Sequence, residues 1–141
     1  MKLSDKLKQH QDLIDDKLRG LYKVHEGPAG GFIFTQHEDG TYVECWTHDE
    51  PREMSWNEVQ KLLQTLNRGG YNDWSLPTKN ELDKMFDNKD QIGKFQNAWY
   101  WSDTEEKEDE FRAWLQNFST GDQTNFFKSL YSRVRAVRRF K

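Results

Sequence analysis

Two helix-start signals, followed by a change of hydrophobic period, constrain the fold of this chain most strongly. Ser55 is followed three residues later by Glu58, and Thr78 is followed by Glu81. In such a capping box the hydroxyl and the carboxylate bind backbone amides that have no partner inside the helix. The sequence therefore predicts one helix that begins after residue 55 and another that begins after residue 78.

The apolar residues after each signal have the spacing of a helix with one buried face. Gly69-Gly70 is predicted to end the first helix, because glycine readily adopts the left-handed conformation of a helix C-terminus. The inward residues of the first helix are Trp56, Val59, Leu62, Leu63 and Leu66, and those of the second are Leu82, Met85 and Phe86.

The segments on both sides of these helices favour strands. Residues 32–35 and 41–46 are rich in β-formers and flank a turn, which predicts a hairpin. The acidic run at residues 103–110 predicts a solvated loop, and residues 119–122 predict a hairpin turn. A hairpin, two helices and then several strands are typical of an α+β domain. The late strands are predicted at residues 99–102, 111–118, 123–127 and 133–140.

Apolar residues at the start of the chain follow one helical stripe, with spacings of four, seven, four and three. Glycines and a proline between residues 27 and 31 then mark a linker. We therefore divide the chain into an N-terminal amphipathic helix with its linker, residues 1–26, and one domain, residues 27–141. The helix either packs on its own domain or joins copies of the chain into a homo-oligomer. Its stripe consists of Leu3, Leu7, Ile14, Leu18 and Leu21.

Three motifs then occur in order. They are Gly-Gly-Tyr-Asn-Asp-Trp-Ser-Leu-Pro-Thr at residues 69–78, Tyr-Trp-Ser at residues 100–102 and Val-Arg-Ala-Val-Arg at residues 134–138. Together they resemble the C-terminal domain family of Legionella collagen-like adhesins, although Ser75 replaces the arginine usual in that family. The resemblance implies a fold like that of C-type lectins and formylglycine-generating enzymes, with two helices flanking small twisted antiparallel sheets.

Most of the motif residues are expected to serve packing. Hydrophobic residues make up only 34% of the chain while aromatic residues reach 14%, so large rings must supply much of the buried area. The resemblance supports this interpretation, since the family motifs have the character of packing signatures. The predicted structural core includes Trp56, Trp74, Leu76, Trp101 and Val134.

The sequence predicts no catalytic activity. Formylglycine-generating chemistry uses a pair of cysteines, and Cys45 is the single cysteine of this chain. The four histidines are scattered, with no pair at the spacing of a helical zinc motif. We expect no metal and no cofactor, with a structural calcium ion as the alternative. Its oxygen donors would be Asn72, Asp73, Asp103 and Asp122.

In lectin-like folds the late strands and loops commonly carry recognition, so the resemblance places a ligand-binding surface there. Its candidates are Trp114, Asp122, Gln123, Asn125, Phe127, Tyr131 and Arg133. Residues 128–141 also contain six basic residues and no acidic one, which predicts an anion patch for sulfated glycan, phosphate or nucleic acid. The alternative is that these bases pair with the acidic run or support neighbouring strands. The patch would consist of Lys128, Arg135, Arg138 and Arg139.

The leading hypothesis is a non-catalytic recognition module that binds a glycan or protein ligand through its late strands and loops, as an oligomer if the N-terminal helix self-associates. A structural or assembly subunit is the alternative, and an enzyme is the third. The net charge of -3 argues against nucleic acid as a partner. No segment has the apolar length of a membrane span or a secretory signal, so we expect a cytoplasmic or phage-particle protein of bacterial or phage origin.

Overall fold

The computed structural model describes residues 22–141 together with Leu3, which is exposed. The remainder of the predicted N-terminal stripe, Leu7, Ile14, Leu18 and Leu21, lies outside the described residues. No helix in the described part of the chain is long and apolar enough to cross a membrane.

The described chain forms three helices and seven strands. The helices are α1 (Trp56–Thr65), α2 (Lys79–Asp87) and α3 (Lys89–Ile92). The strands are β1 (His25–Glu26), β2 (Phe32–Gln36), β3 (Tyr42–Cys45), β4 (Trp99–Glu106), β5 (Asp109–Asn117), β6 (Gln123–Phe127) and β7 (Val137–Phe140). This arrangement confirms the predicted α+β class.

The strands form two small antiparallel sheets. The first has the order β1-β2-β3-β7, so the last strand of the chain closes the early hairpin. The second has the order β4-β5-β6 and is built from two consecutive hairpins. Strand β1 pairs with β2 although it lies before residue 27, where we placed the start of the domain.

Both predicted helix starts are confirmed. The Thr78 hydroxyl accepts from the Glu81 amide, and the Glu81 carboxylate accepts from the Thr78 amide at 2.9 Å, which completes a capping box. At the first helix the Ser55 hydroxyl accepts from the Glu58 amide at 3.3 Å, whereas the Glu58 carboxylate accepts from Arg52. Local sequence was sufficient to place both helices.

Two local predictions were wrong. The acidic run is not a loop, because β4 continues to Glu106 and β5 begins at Asp109 with a two-residue turn between them. Charge composition does not reveal strand pairing, and a hairpin tip keeps its acids in solvent. The first helix ends at Thr65, before Gly69-Gly70. Both glycines have positive φ within a turn closed by Arg68 and Tyr71, and a Cβ at Gly69 would lie 2.1 Å from the Ala29 carbonyl oxygen.

Tryptophans join the helices to the second sheet. Trp101 is fully buried and donates from its indole nitrogen to the Met54 carbonyl at 2.9 Å. Trp74 is also buried, and Trp56 is half-buried with its indole bonded to the Ser102 carbonyl at 2.9 Å. Because each ring has a partner for its one polar group, a large apolar area is buried without an unsatisfied donor. Leu76 and Val134 are fully buried in the same cluster.

A buried ion pair joins β3 to β7, two neighbouring strands of the first sheet. The Glu44 carboxylate on β3 accepts from Arg138 on β7 at 3.0 Å, and both side chains are almost completely buried. The other oxygen of Glu44 accepts from the backbone amides of Ala29 and Gly31 at 3.1 and 2.8 Å. Arg138 also donates to Asp73 at 2.9 Å. One carboxylate and one guanidinium thus fix four separate segments of the chain.

A second buried carboxylate, Glu81, joins α2 to β7. It accepts from the Arg139 guanidinium at 2.8 Å and from His37 at 2.7 Å, in addition to its capping bond. Burial disfavours the ionised form of Glu81. The hydrogen bonds from Arg139 and from the Thr78 amide, with the Arg139 charge, outweigh burial and hold the pKa of this carboxyl below its ordinary value of 4.5.

Replacement of Arg138 by methionine should lower the free energy of unfolding by about 3–5 kcal/mol, because it leaves Glu44 buried without its counter-charge. Urea unfolding of the wild type and the variant measures this difference. The matched control is Arg52→Met, which breaks an exposed pair with Glu58 and should cost about 1 kcal/mol or less. Equal losses for the two variants would show that the buried pair has no special role.

The lowered pKa of Glu81 gives a signed prediction for pH. A group whose pKa falls on folding stabilises the protein above its unfolded pKa, and this stabilisation is lost as the pH falls through the folded pKa. The stability difference between wild type and Glu81→Gln should therefore be largest near about pH 6 and should shrink toward about pH 3. Urea midpoints across that range test it, with exposed Glu38→Gln as the control. A difference that stays constant with pH contradicts the assignment.

Candidate functional site

Four of the seven predicted ligand residues lie on one face of the β5–β6 hairpin. In the strand register Trp114 is opposite Asn125, and Phe127 is opposite Arg112. Directly opposed residues of an antiparallel pair point to the same face. Gln123, opposite Gln116, extends this face toward α2. We define the β5–β6 face as Arg112, Trp114, Gln123, Asn125 and Phe127.

Cations cover the two aromatic rings of the β5–β6 face. The Lys79 ammonium lies 3.4 Å from the centre of the Trp114 ring, and the Arg112 guanidinium lies 4.0 Å from that of Phe127. Each ring thereby has a cation fixed against it, and such contacts are favourable at partly exposed sites. The exposed surface therefore combines ring edges with N–H donors that are held in place.

Amide groups supply the remaining polar atoms of this face. The Asn125 amide nitrogen donates to Glu106 at 3.3 Å, and its oxygen accepts from Arg112 at 3.4 Å. These bonds are long, and Asn125 is only partly buried. Gln123 is held more firmly, with its amide nitrogen donating to the Lys79 carbonyl at 3.0 Å and to Gln116 at 3.1 Å. Asn125 is consequently the amide most available to a ligand.

The other three predicted residues lie elsewhere. Asp122 is exposed in the turn between β5 and β6, where it accepts from the Thr120 hydroxyl at 3.1 Å. Tyr131 is exposed in the connection from β6 to β7. The backbone of Arg133 forms an isolated parallel β-bridge with Tyr100 of β4, and the Arg133 Nε atom is 3.8 Å from the Glu53 carboxylate. The seven residues therefore do not form one surface.

The structure corrects the predicted anion patch. Arg135 and Arg138 are buried, and Arg135 donates to Asp49 at 2.9 Å and to the carbonyls of Trp46 and Lys94 at 3.1 and 2.9 Å. Arg139 binds Glu81, as described above. Of the four residues of the predicted patch, only Lys128 forms an ion pair with the acidic run, through Glu105. Basic residues that already pair with buried carboxylates and carbonyls do not present a surface for anions.

The sequence did not predict two members of the site, Arg112 and Lys79. Arg112 lies two residues before Trp114, so strand alternation predicts that both share a face. The position of Lys79 has no such signal, because it depends on the packing of α2 against the second sheet, 35 positions away along the chain from Trp114. That contact is a product of tertiary structure.

The candidate calcium donors are engaged separately. Asp73 binds Arg138, Asp103 accepts from the Gln60 amide at 2.8 Å, and Asp122 accepts from Thr120. Among the described residues no group of three or more His, Cys, Asp or Glu side chains is placed to hold a metal ion.

Comparison with known proteins identifies the family. The full sequence matches no curated protein. Residues 34–138 match the family described as the Lcl C-terminal domain, which confirms the resemblance to the Legionella collagen-like adhesin family. The match includes all three helices and both sheets, except for β1, the first two residues of β2 and the last two residues of β7. Since it covers most of the chain, this protein belongs to the Lcl C-terminal domain family and is an adhesin-related module.

Proposed function

We propose that this protein is a non-catalytic recognition module of C-type-lectin-like architecture that binds carbohydrate through the β5–β6 face. The observation that carries the proposal is the placement of Trp114, Asn125 and Phe127 side by side on one sheet face. The exposed ring edges offer apolar contact to the C–H groups of a sugar, and amides both donate to and accept from its hydroxyls. Membership of an adhesin-related family supports a role in binding.

The rigidity of the supporting sheet favours this site over the loops. The second sheet packs Ala113 and Leu115 of β5 into the core on its other face, where both are buried. Side chains on a packed strand lose little additional freedom when they bind, so less entropy opposes the complex. A sheet with one face in the core and the other available is a suitable platform for a ligand.

The state of Cys45 supports a module without the cysteine chemistry of formylglycine-generating enzymes. The thiol is fully buried, and burial raises its pKa to about 12. A thiol with that pKa stays protonated near neutral pH and is therefore a poor nucleophile and a poor metal ligand. We accordingly propose that function requires no cofactor.

Removal of the ring or the amide should weaken glycan binding without unfolding the protein. Trp114→Ala and Asn125→Ala should each lower the affinity for a glycan selected on an array by about tenfold or more. The matched control is Thr124→Ala, because Thr124 lies next to Asn125 on the same strand but points to the other face. Urea midpoints confirm that each variant folds. If the wild type binds no glycan, or all three variants bind equally, the proposal fails.

The predicted N-terminal helix gives this module a second property to test. If its apolar stripe joins copies of the chain, several weak sites would act together and raise the avidity. A truncated chain should begin at residue 22, because the Tyr22 amide binds Asn88 and β1 pairs with β2. Light scattering should show an oligomer for the full chain and a monomer for the truncated chain. An unchanged mass state would contradict both the oligomer and the assembly alternative.

A further inference from the structure

Exposed apolar side chains are concentrated at one edge of the molecule. Apart from Leu3, the exposed large apolar residues of the described chain are Phe111, Phe127, Leu130 and Tyr131, with 67%, 47%, 46% and 58% of their surface accessible. Phe111 is the third residue of β5, and the other three lie at the end of β6 and in the loop after it. Such a concentration marks an interaction surface, whereas single exposed apolar residues do not.

Backbone hydrogen bonds hold this edge together. The Lys128 amide donates to the Phe111 carbonyl at 2.8 Å, and the Trp56 amide donates to the Lys128 carbonyl at 2.9 Å. The Leu130 amide closes a turn on the Phe127 carbonyl at 3.0 Å. The start of β5, the loop after β6 and the beginning of α1 are thus fixed against one another. Their exposed side chains form part of the folded surface.

A groove of about 250 Å³ adjoins Tyr131, between residues 50–54 and α1. Pro51, Met54 and Leu62 supply its apolar lining. At its rim the Glu58 carboxylate accepts from Arg52 at 3.0 Å, and the Arg52 guanidinium and the nearby Tyr131 hydroxyl both lower the pKa of Glu58. Tyr131 therefore lies beside Glu58, which lines the groove. We define the apolar edge as Phe111, Leu130, Tyr131 and this groove.

The charge beside the apolar edge is negative. The β4–β5 turn together with the strand ends beside it, residues 105–110, holds Glu105, Glu106, Glu108, Asp109 and Glu110, with Lys107 as its own cation. Among the ion pairs of the described residues, Lys128 neutralises Glu105 and Arg112 neutralises Asp109. Three carboxylates remain against one lysine. This field attracts a cationic partner and repels a polyanion.

We infer that the apolar edge docks a protein segment that carries an apolar or aromatic side chain flanked by Lys or Arg. The side chain would enter the groove beside Tyr131, and the basic residues would face the β4–β5 turn. Aromatic residues at the centre of a surface and complementary charge at its rim are the features of protein interfaces. The apolar edge lies beside the β5–β6 face and binds independently of it.

Selection of short random peptides displayed on phage tests this inference with the full chain. Enriched peptides should combine an aromatic or branched apolar residue with Lys or Arg. A synthetic peptide of the enriched sequence should lose affinity by about tenfold or more for Tyr131→Ala and for Leu130→Asp, whereas Tyr131→Phe should bind almost as well as the wild type because the ring remains. Enrichment of acidic peptides, or no enrichment, overturns the inference.

Charge reversal provides a second variant that spares the core. Glu108 and Glu110 are exposed at the hairpin, so Glu108→Lys with Glu110→Lys should fold normally yet weaken the peptide severalfold or more at low salt, with a smaller effect at high salt. The matched control reverses exposed Glu26 and Glu38, which lie in the first sheet and its hairpin turn. Equal effects of the two double variants would show general charge attraction and overturn the inference.

Two further outcomes identify other occupants. If light scattering shows that Tyr131→Ala or Leu130→Asp converts an oligomer of the protein into a monomer, the edge binds a second copy of the chain and the inference fails. The Trp114→Ala variant separates this surface from the proposed carbohydrate site. Peptide binding should survive in Trp114→Ala, and its loss there would mean that the peptide occupies the β5–β6 face instead.

Discussion

The buried pair between Glu44 and Arg138 is the interaction on which the first sheet depends. Transfer of two charges out of water is costly, and the pair is tolerated only because almost every polar atom has a partner. Glu44 meets this condition through the Ala29 and Gly31 amides, and Arg138 through Asp73. A Cβ at Gly31 would lie 2.2 Å from the Cys45 carbonyl oxygen, so only glycine lets that amide approach Glu44. The need to neutralise Glu44 thus constrains Gly31. The charged partner of Glu44, Arg138, lies 94 positions from it along the chain.

The same principle explains the concentration of bases near the end of the chain. Arg135 anchors Asp49, which also accepts from the Tyr100 hydroxyl at 2.6 Å, and Arg139 anchors Glu81 at the start of α2. Arg135, Arg138 and Arg139 therefore each bind a different earlier part of the chain, and together they hold the last segment against the rest of the fold. Guanidinium groups suit this role because their planar donors reach several acceptors at once. The basic segment is an internal framework, and the binding surface that we propose lies on the second sheet.

Sequence reasoning succeeded where the determinants were local. Hydroxyl and carboxylate groups three residues apart determine the helix starts, and strand alternation places Gln123, Asn125 and Phe127 on one side of β6. It failed where the partner is distant. Nothing near Arg135 in sequence indicates Asp49, 86 positions away, so a run of bases resembles an exposed patch until the carboxylates are located. The loop prediction for the acidic run is wrong for the same reason, because the β4–β5 pairing that orders this run depends on the register of two strands. The register of β5 against β6, which brings Trp114 opposite Asn125, was likewise not available from either strand alone.

The buried motif residues and the two proposed binding surfaces differ in how readily their residues can be substituted. Residues of the family motifs, such as Trp74, Leu76 and Trp101, are buried, so their replacement would cost cavity energy or leave polar groups unpaired. The exposed side chains of the β5–β6 face and of the apolar edge can be replaced without opening a core cavity. Both surfaces nevertheless rest on the same hairpin, since Phe111 and Arg112 are adjacent on β5 but point to opposite faces. Strand alternation therefore allows one rigid hairpin to present an apolar surface and a polar aromatic surface, each of which can vary without disturbing the other.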